Sequence, residues 1–244
     1  MGCLEEKAKS DDEVLLQSAE QQLNSGVRAS NLTLLISTFP AVLSREEFKS
    51  AKSILHLHEE HLSESELSRF DAFFQMASEE PGKFDKRKLE VLGLLLCKES
   101  KSEKITTLFK CGELDEGQKL LSDSLLSLLE FAFTLSLEVL PATLTAKASS
   151  RFPKAAPTRY LRRLQAQKDI ACQRCWKILT DHRPVLRLDT FLQTFQLVDL
   201  ELSPEGVRAY TLSQCSAYWS DRHSTHSQES EDIHPATKGR LVPT

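Results

Sequence analysis

Glycine and proline are scarce in this chain, with 8 and 9 residues in 244. No Gly-rich phosphate loop occurs, and neither does H-E-x-x-H or G-x-S-x-G. His56, His58 and His61 sit beside Glu59 and Glu60, but His56 and His58 fall on different sides of a helix. No residue is nominated as catalytic, so the chain reads as non-enzymatic and without a cofactor. Aromatic residues amount to 7%, and no aromatic platform accompanies the basic residues, so no nucleic-acid partner is expected. A secretory apolar segment is missing at the start, and six cysteines are scattered through a long chain. Both favour a reducing, cytoplasmic setting over a disulfide framework. The longest apolar run, Leu125 to Leu140, holds Glu130 and Glu138, which predicts a buried helix rather than a membrane span.

What is present points to an all-α fold. Hydrophobic residues make up 40%, enough for a core, and Leu, Glu, Lys and Ser dominate. Cap residues punctuate the apolar periodicity. Asp11 and Asp12 open a helix to Leu23, stopped by Asn24-Ser25-Gly26. Asn31 opens a second, ended by Pro40, and Ser44 with Glu47 forms a capping box for a third. Ser63 or Ser65, Asp85, Ser100 or Ser102, and Ser122 cap the following ones, and Pro141 closes the last. Residues 1–10 read as a flexible start, 11–140 as a helical domain and 141–158 as a linker. Residues 159–220 form a second helical unit, and the Ser-, His- and acid-rich 221–244 read as a disordered tail.

A short phrase recurs inside that pattern. Leu43-Ser44-Arg45-Glu46-Glu47-Phe48, Phe84-Asp85-Lys86-Arg87-Lys88-Leu89 and Leu121-Ser122-Asp123-Ser124-Leu125-Leu126 each place an apolar residue, a cap, and an apolar residue four places after it. The copies are 41 and 37 residues apart, a period typical of repeat architectures, and Leu188-Asp189 starts a weaker fourth. The phrase resembles the exit half of an EF-hand. With Gly2 at the start, the layout is similar to N-terminally acylated neuronal calcium sensors and calcineurin-B-like proteins. A weaker resemblance is to the EF-hand-bearing front part of TLD-domain proteins. The resemblance implies degenerate helix-loop-helix repeats.

The loops lack the oxygen set of a calcium sensor, which needs ligands at positions 1, 3, 5 and 12 and Gly at 6. With Leu43 at position 8, positions 1, 3 and 5 are Ile36, Thr38 and Pro40, and only Glu47 at 12 fits. With Phe84 at 8, they are Ala77, Glu79 and Pro81, with Gly82 at 6 but Lys88 at 12. With Leu121 at 8, they are Leu114, Glu116 and Gln118, with Leu125 at 12. Moving that copy one residue earlier gives Glu113, Asp115 and Gly117, with Ser124 at 12. With Leu188 at 8, they are Asp181, Arg183 and Val185, with Leu192 at 12. No metal is expected, and Glu113 and Asp115 are the least implausible calcium site.

Charge and apolar residues suggest surfaces instead. Nine basic residues and one acid between Lys147 and Lys177 carry +8, against −12 for the rest. Arg159, Arg162, Arg163 and Lys168 would face anionic lipid or an acidic partner. Gly2 and Cys3 offer myristoylation and palmitoylation sites, which together would anchor the chain, although Glu6 stands where the usual pattern has Ser or Thr. Phe70, Phe73, Phe74 and Phe109 either line a groove for a partner's amphipathic helix or fill the core. Cys172-x-x-Cys175 with Cys215, His223 and His226 is a candidate zinc set without the usual second-half spacing. The sequence thus predicts a calcium-independent adaptor, peripheral on a membrane and binding an amphipathic helix or acidic surface. A calcium sensor and a zinc-stabilised module are the alternatives.

Overall fold

Four short side chains fix where helices begin. A computed structural model of the chain describes residues 11–23, 27–57, 62–76, 82–144 and 158–214. Ser44 caps α3 (Arg45–Ile54), Ser63 caps α4 (Glu64–Phe74) and Ser100 caps α6 (Lys101–Cys111). In each, the residue three places on is a glutamate whose carboxylate accepts the serine N–H, which completes a capping box. Asp85 accepts the Arg87 N–H at the start of α5 (Lys86–Leu96). Each such cap contributes about 1 kcal/mol. Three expected caps are not caps. Arg28, not Asn31, precedes the helix at Ala29–Thr38, Leu121, not Ser122, precedes the helix that begins at Ser122, and Arg187, not Asp189, precedes the helix at Leu188–Gln196; none makes a side-chain cap bond.

The described residues are mostly helical and fall into four units, each a helix, a loop, a two-residue strand and a helix. The first is α2 (Ala29–Thr38), β1 (Val42–Leu43) and α3; the second is α4, β2 (Phe84–Asp85) and α5. The third is α6, β3 (Leu120–Leu121) and α7 (Ser122–Leu144). The fourth is α8 (Thr158–Thr180), β4 (Val185–Leu186) and α9 (Leu188–Gln196). The strands pair antiparallel in twos, with Leu43 opposite Phe84 and Leu120 opposite Leu186. All four of those residues are buried. Gly82 and Gln118, each two residues before a core-facing strand residue, are left-handed, with φ of 87° and 58°.

This register selects the earlier of the two frames for the third copy, centred on Leu120, and corrects the fourth, which centres on Leu186 rather than Leu188. Strand side chains alternate faces, so a one-residue shift decides which leucine enters the core. Leu120 is fully buried, Leu121 half-buried and Leu188 exposed.

Two helices form the centre. Every residue from Leu89 to Leu96 on α5 is buried, and a Cβ at Gly93 would overlap Leu32 Cδ2, so that leucine would have to shift. The other is α7, among the described residues the one helix long and apolar enough to cross a membrane by length and composition. Here Leu125, Leu128, Leu129 and Phe133 of α7 are buried within the protein. Its last turns widen into a π-helix at Leu135–Val139, and the helix runs through Pro141 to Leu144. A regular turn would drive the proline ring into the preceding carbonyls, so the wide turn lies where Pro141 needs room.

The expected linker therefore starts later than 141, and residues 145–157 lie outside the described residues. That segment does not divide the core. Helix α8 packs on α7, α9 packs on α6 and α8, and residues from Val27 to Tyr210 share one apolar cluster. The 221–244 tail also lies outside the described residues. A final helix, α10 (204–214), meets α1 (Asp11–Leu23) through an ion cluster described below.

Candidate functional site

Lysine ammonium groups close the first two loops. Lys86 Nζ donates to the carbonyls of Ile36 and Phe39 at 3.0 and 2.9 Å, at the end of α2. Buried Glu90 lies 3.4 Å from the same ammonium. Lys88 Nζ donates to the Phe73 carbonyl at 2.7 Å and, at 3.4 Å, to that of Gln75, at the end of α4. The carbonyls that end a helix are its negative pole, so each lysine sits where a cation is favoured. Lys88 also lies over the Phe73 ring at 4.9 Å and the Phe131 ring at 5.6 Å. Burial holds its ammonium below the usual lysine value, with Asp85 pulling the other way.

Glu47, Glu113 and Asp115 of the first and third loops are engaged within the chain. Glu47 closes the Ser44 capping box, and the hydrogen bonds from Ser44 hold it below the usual carboxylate range. In the third loop Asp115 Oδ1 accepts the N–H groups of Gly117 and Lys119 at 2.9 and 2.8 Å. Glu113 pairs with Arg87 at 2.7 Å, and its N–H donates to Ser124 Oγ at 2.7 Å. In the observed frame Glu113 is position 1 and Ser124 position 12, so a hydroxyl closes the loop where a bidentate glutamate would hold an ion. Asp115 and Glu113 thus serve backbone amides and a guanidinium.

The other expected site residues separate. Phe70, Phe74 and Phe109 are buried, at 0%, 0% and 4% exposure, and Phe73 packs half-buried beside them. Phe70 and Phe74 meet edge-on, and Phe74 lies beside Phe48, itself stacked on Phe84. They fill the core and do not line an open groove, because α4 closes its apolar stripe against α3 and α5. Arg162 and Arg163 are exposed on α8, whereas Lys168 is tied to Glu138 of α7 at 2.7 Å. Gly2, Cys3 and the Arg159 side chain lie outside the described residues.

Cys172 and Cys175 are buried free thiols on α8. Burial pushes Cys172 up to about 12 and Cys175 further. Their proposed zinc partners Cys215, His223 and His226 lie outside the described residues. Among the described residues no three His, Cys, Asp or Glu side chains gather in a way that could hold a metal.

One cluster has no counterpart in the sequence reading. Arg208 of α10 is completely buried, and its guanidinium forks onto both Glu13 and Glu20 of α1. Nε and Nη2 donate to Glu13 at 2.8–3.0 Å, and Nη1 and Nη2 to Glu20 at 2.6 and 3.0 Å. Nη1 also donates to the Ser136 carbonyl in the π-helical turn of α7 at 3.3 Å. Glu13 additionally accepts the Tyr160 hydroxyl at 2.5 Å and the Gln17 amide at 3.2 Å. Glu13 and Glu20 lie seven positions apart on one face of α1, but nothing local in the sequence marks Arg208 as their partner.

No protein-family model, no curated protein and no solved structure matches this chain.

Proposed function

We propose that the chain is a non-enzymatic protein-binding scaffold of four degenerate EF-hand-like units, whose conformation does not depend on calcium. Three observations support the EF-hand-like reading. They are the helix-loop-strand-helix order, the strand pairing in twos at equivalent positions, and the left-handed residue two places before Phe84 and Leu120.

The observation that carries calcium independence is the placement of Lys86 and Lys88. Their ammonium groups already bind the carbonyls that end α2 and α4. A divalent ion entering either loop would face a fixed positive charge, and the Coulomb repulsion disfavours it strongly. Units held by internal cations are locked in one arrangement, which suits a constitutive adaptor better than a switch. Titration calorimetry with calcium on the full chain is expected to give no saturable heat. Saturable micromolar binding would overturn the proposal.

The membrane part of the proposal is separate. Acyl chains on Gly2 and Cys3, with the exposed Arg162 and Arg163, would hold the scaffold on an anionic cytoplasmic surface. Gly2→Ala is expected to move the protein to the soluble fraction, and an unchanged distribution removes that part.

A further inference from the structure

We propose that α1 is an intramolecular ligand, and that the groove it fills, floored by Arg208, takes a partner helix bearing two carboxylates seven residues apart about a leucine. The proposal rests on the reading of this chain as a helix-binding scaffold, and it names the site, the class of partner and the inhibitory contact.

Helix α1 is docked in an unusual way. Among its described side chains the buried ones are Glu13, Leu16 and Glu20, which follow one another at three and four positions on a single face. Two of the three are acids, and Leu16 is buried apart from the continuous apolar core. Among the described side chains of α1, two buried ion pairs and Leu16 supply the anchorage, with half-buried Ala19 packed against the core. Alongside it runs an open polar cleft of about 260 Å³, bounded by Gln17, Gln21, Lys98, Lys104 and Glu201.

The groove in turn is built for carboxylates. An arginine has five N–H donors, and the Arg208 bonds account for all of them: four reach α1 and one the Ser136 carbonyl. Without α1, a buried guanidinium would lose both of its counter-charges, which is strongly unfavourable. The groove is therefore filled by one acidic helix or another, and exchange of ligands is the available transition. The Ser136 hydroxyl, on the same π-helical turn, is buried with no partner.

Two measurements on the full chain test this. The first is native-state hydrogen exchange on wild type. The amides of α1 are expected to exchange by local opening, at least about tenfold faster than those of α5 and α7. Exchange of α1 only together with α5 would overturn the proposal, because the helix would then leave only on global unfolding. The second is binding of a fluorescein-labelled peptide of residues 10–24 to wild type and to Glu13→Gln/Glu20→Gln. The variant, with its own α1 loosened, is expected to bind the peptide at least about tenfold more tightly than wild type. A peptide with both glutamates changed to glutamine is expected not to bind. A folded variant that ignores the peptide overturns the proposal, and should the variant melt entirely, the hydrogen-exchange result on wild type decides it. Calcium added to the same assay separates the two readings. A calcium-dependent change in peptide affinity counts against calcium independence and leaves the groove standing, whereas calcium-insensitive failure to bind counts against the groove alone.

Discussion

Arg208 and Glu13 stand 195 positions apart in the chain, and the guanidinium Nη2 lies 2.8 Å from the carboxylate Oε1. With Glu20 on the same guanidinium, this contact ties the first described helix to the last. Arg208→Met is expected to cost about 3–5 kcal/mol in urea unfolding, because two buried carboxylates lose their counter-charge. A loss below about 1 kcal/mol would show that α1 is already loose or that water reaches the acids.

The two carboxylates respond oppositely to pH. For Glu13 burial pushes upward, but the hydrogen bonds and charge of Arg208, with Tyr160 and Gln17, prevail and hold it below the ordinary 4.5. For Glu20 burial wins over Arg208, aided by the nearby Glu13 charge, and holds it above 4.5. The folded chain thus binds the Glu13 proton less readily than the unfolded chain, so the Glu13 contribution is present above pH 4.5 and lost as pH falls below it. The Glu20 contribution runs the other way, full at low pH and declining as pH rises above 4.5. Stability differences between wild type and Glu13→Gln, and between wild type and Glu20→Gln, are expected to slope in opposite senses against pH. Parallel slopes would contradict the assignment.

Lys88 replaces an ion by a side chain. Lys88→Met leaves the Phe73 and Gln75 carbonyls without their ammonium donor and is expected to cost about 1.5–3 kcal/mol, measured by chemical denaturation. Calcium is expected not to restore the loss, since positions 1 and 5 of that loop are Ala77 and Pro81. Recovery of stability in calcium would place a latent ion site in the second loop.

Phe74 and Arg87 separate core from surface. Phe74 is fully buried among Phe48, Phe70 and Phe73, so Phe74→Ala is expected to cost about 3–5 kcal/mol. The Arg87–Glu113 pair is open to solvent, so Arg87→Ala is expected to change stability by less than about 1 kcal/mol. A mild effect at Phe74 would return that ring to a binding surface.

Thiol chemistry gives an independent check on α8. Cys172, Cys175, Cys97 and Cys111 are buried, and burial pushes each thiol upward. Mass spectrometry after brief iodoacetamide treatment is expected to find these four unmodified in the folded chain and alkylated after denaturation. Rapid alkylation of Cys172 or Cys175 in the folded chain would mean that α8 opens.

Helix starts follow the sequence where the deciding forces are local. Ser44, Ser63, Asp85 and Ser100 act as caps because the bonds they make span only two or three residues. Ser122 looks like a cap in sequence, yet Leu121 takes that place because β3 pairs with β4 and sets where the helix can begin. Pro141 looks like a stop, yet a π-helical turn lets the helix pass it. Strand pairing accounts for the first, and a wide helical turn that makes room for the proline accounts for the second.

The sequence by itself determined the helical class, four of the helix starts and the burial of most of the Leu125–Leu140 run. Those follow from residue type and spacing within a few turns of chain. The tertiary structure alone decided that the strands pair in twos, that Lys86 and Lys88 point at the ends of α2 and α4, and that Arg208 receives Glu13 and Glu20. Each of these joins residues between 13 and 195 positions apart, as the Lys88–Gln75 and Arg208–Glu13 contacts do. Side-chain chemistry can announce that a charge needs a partner, but only the packing of the helices brings a particular partner within reach.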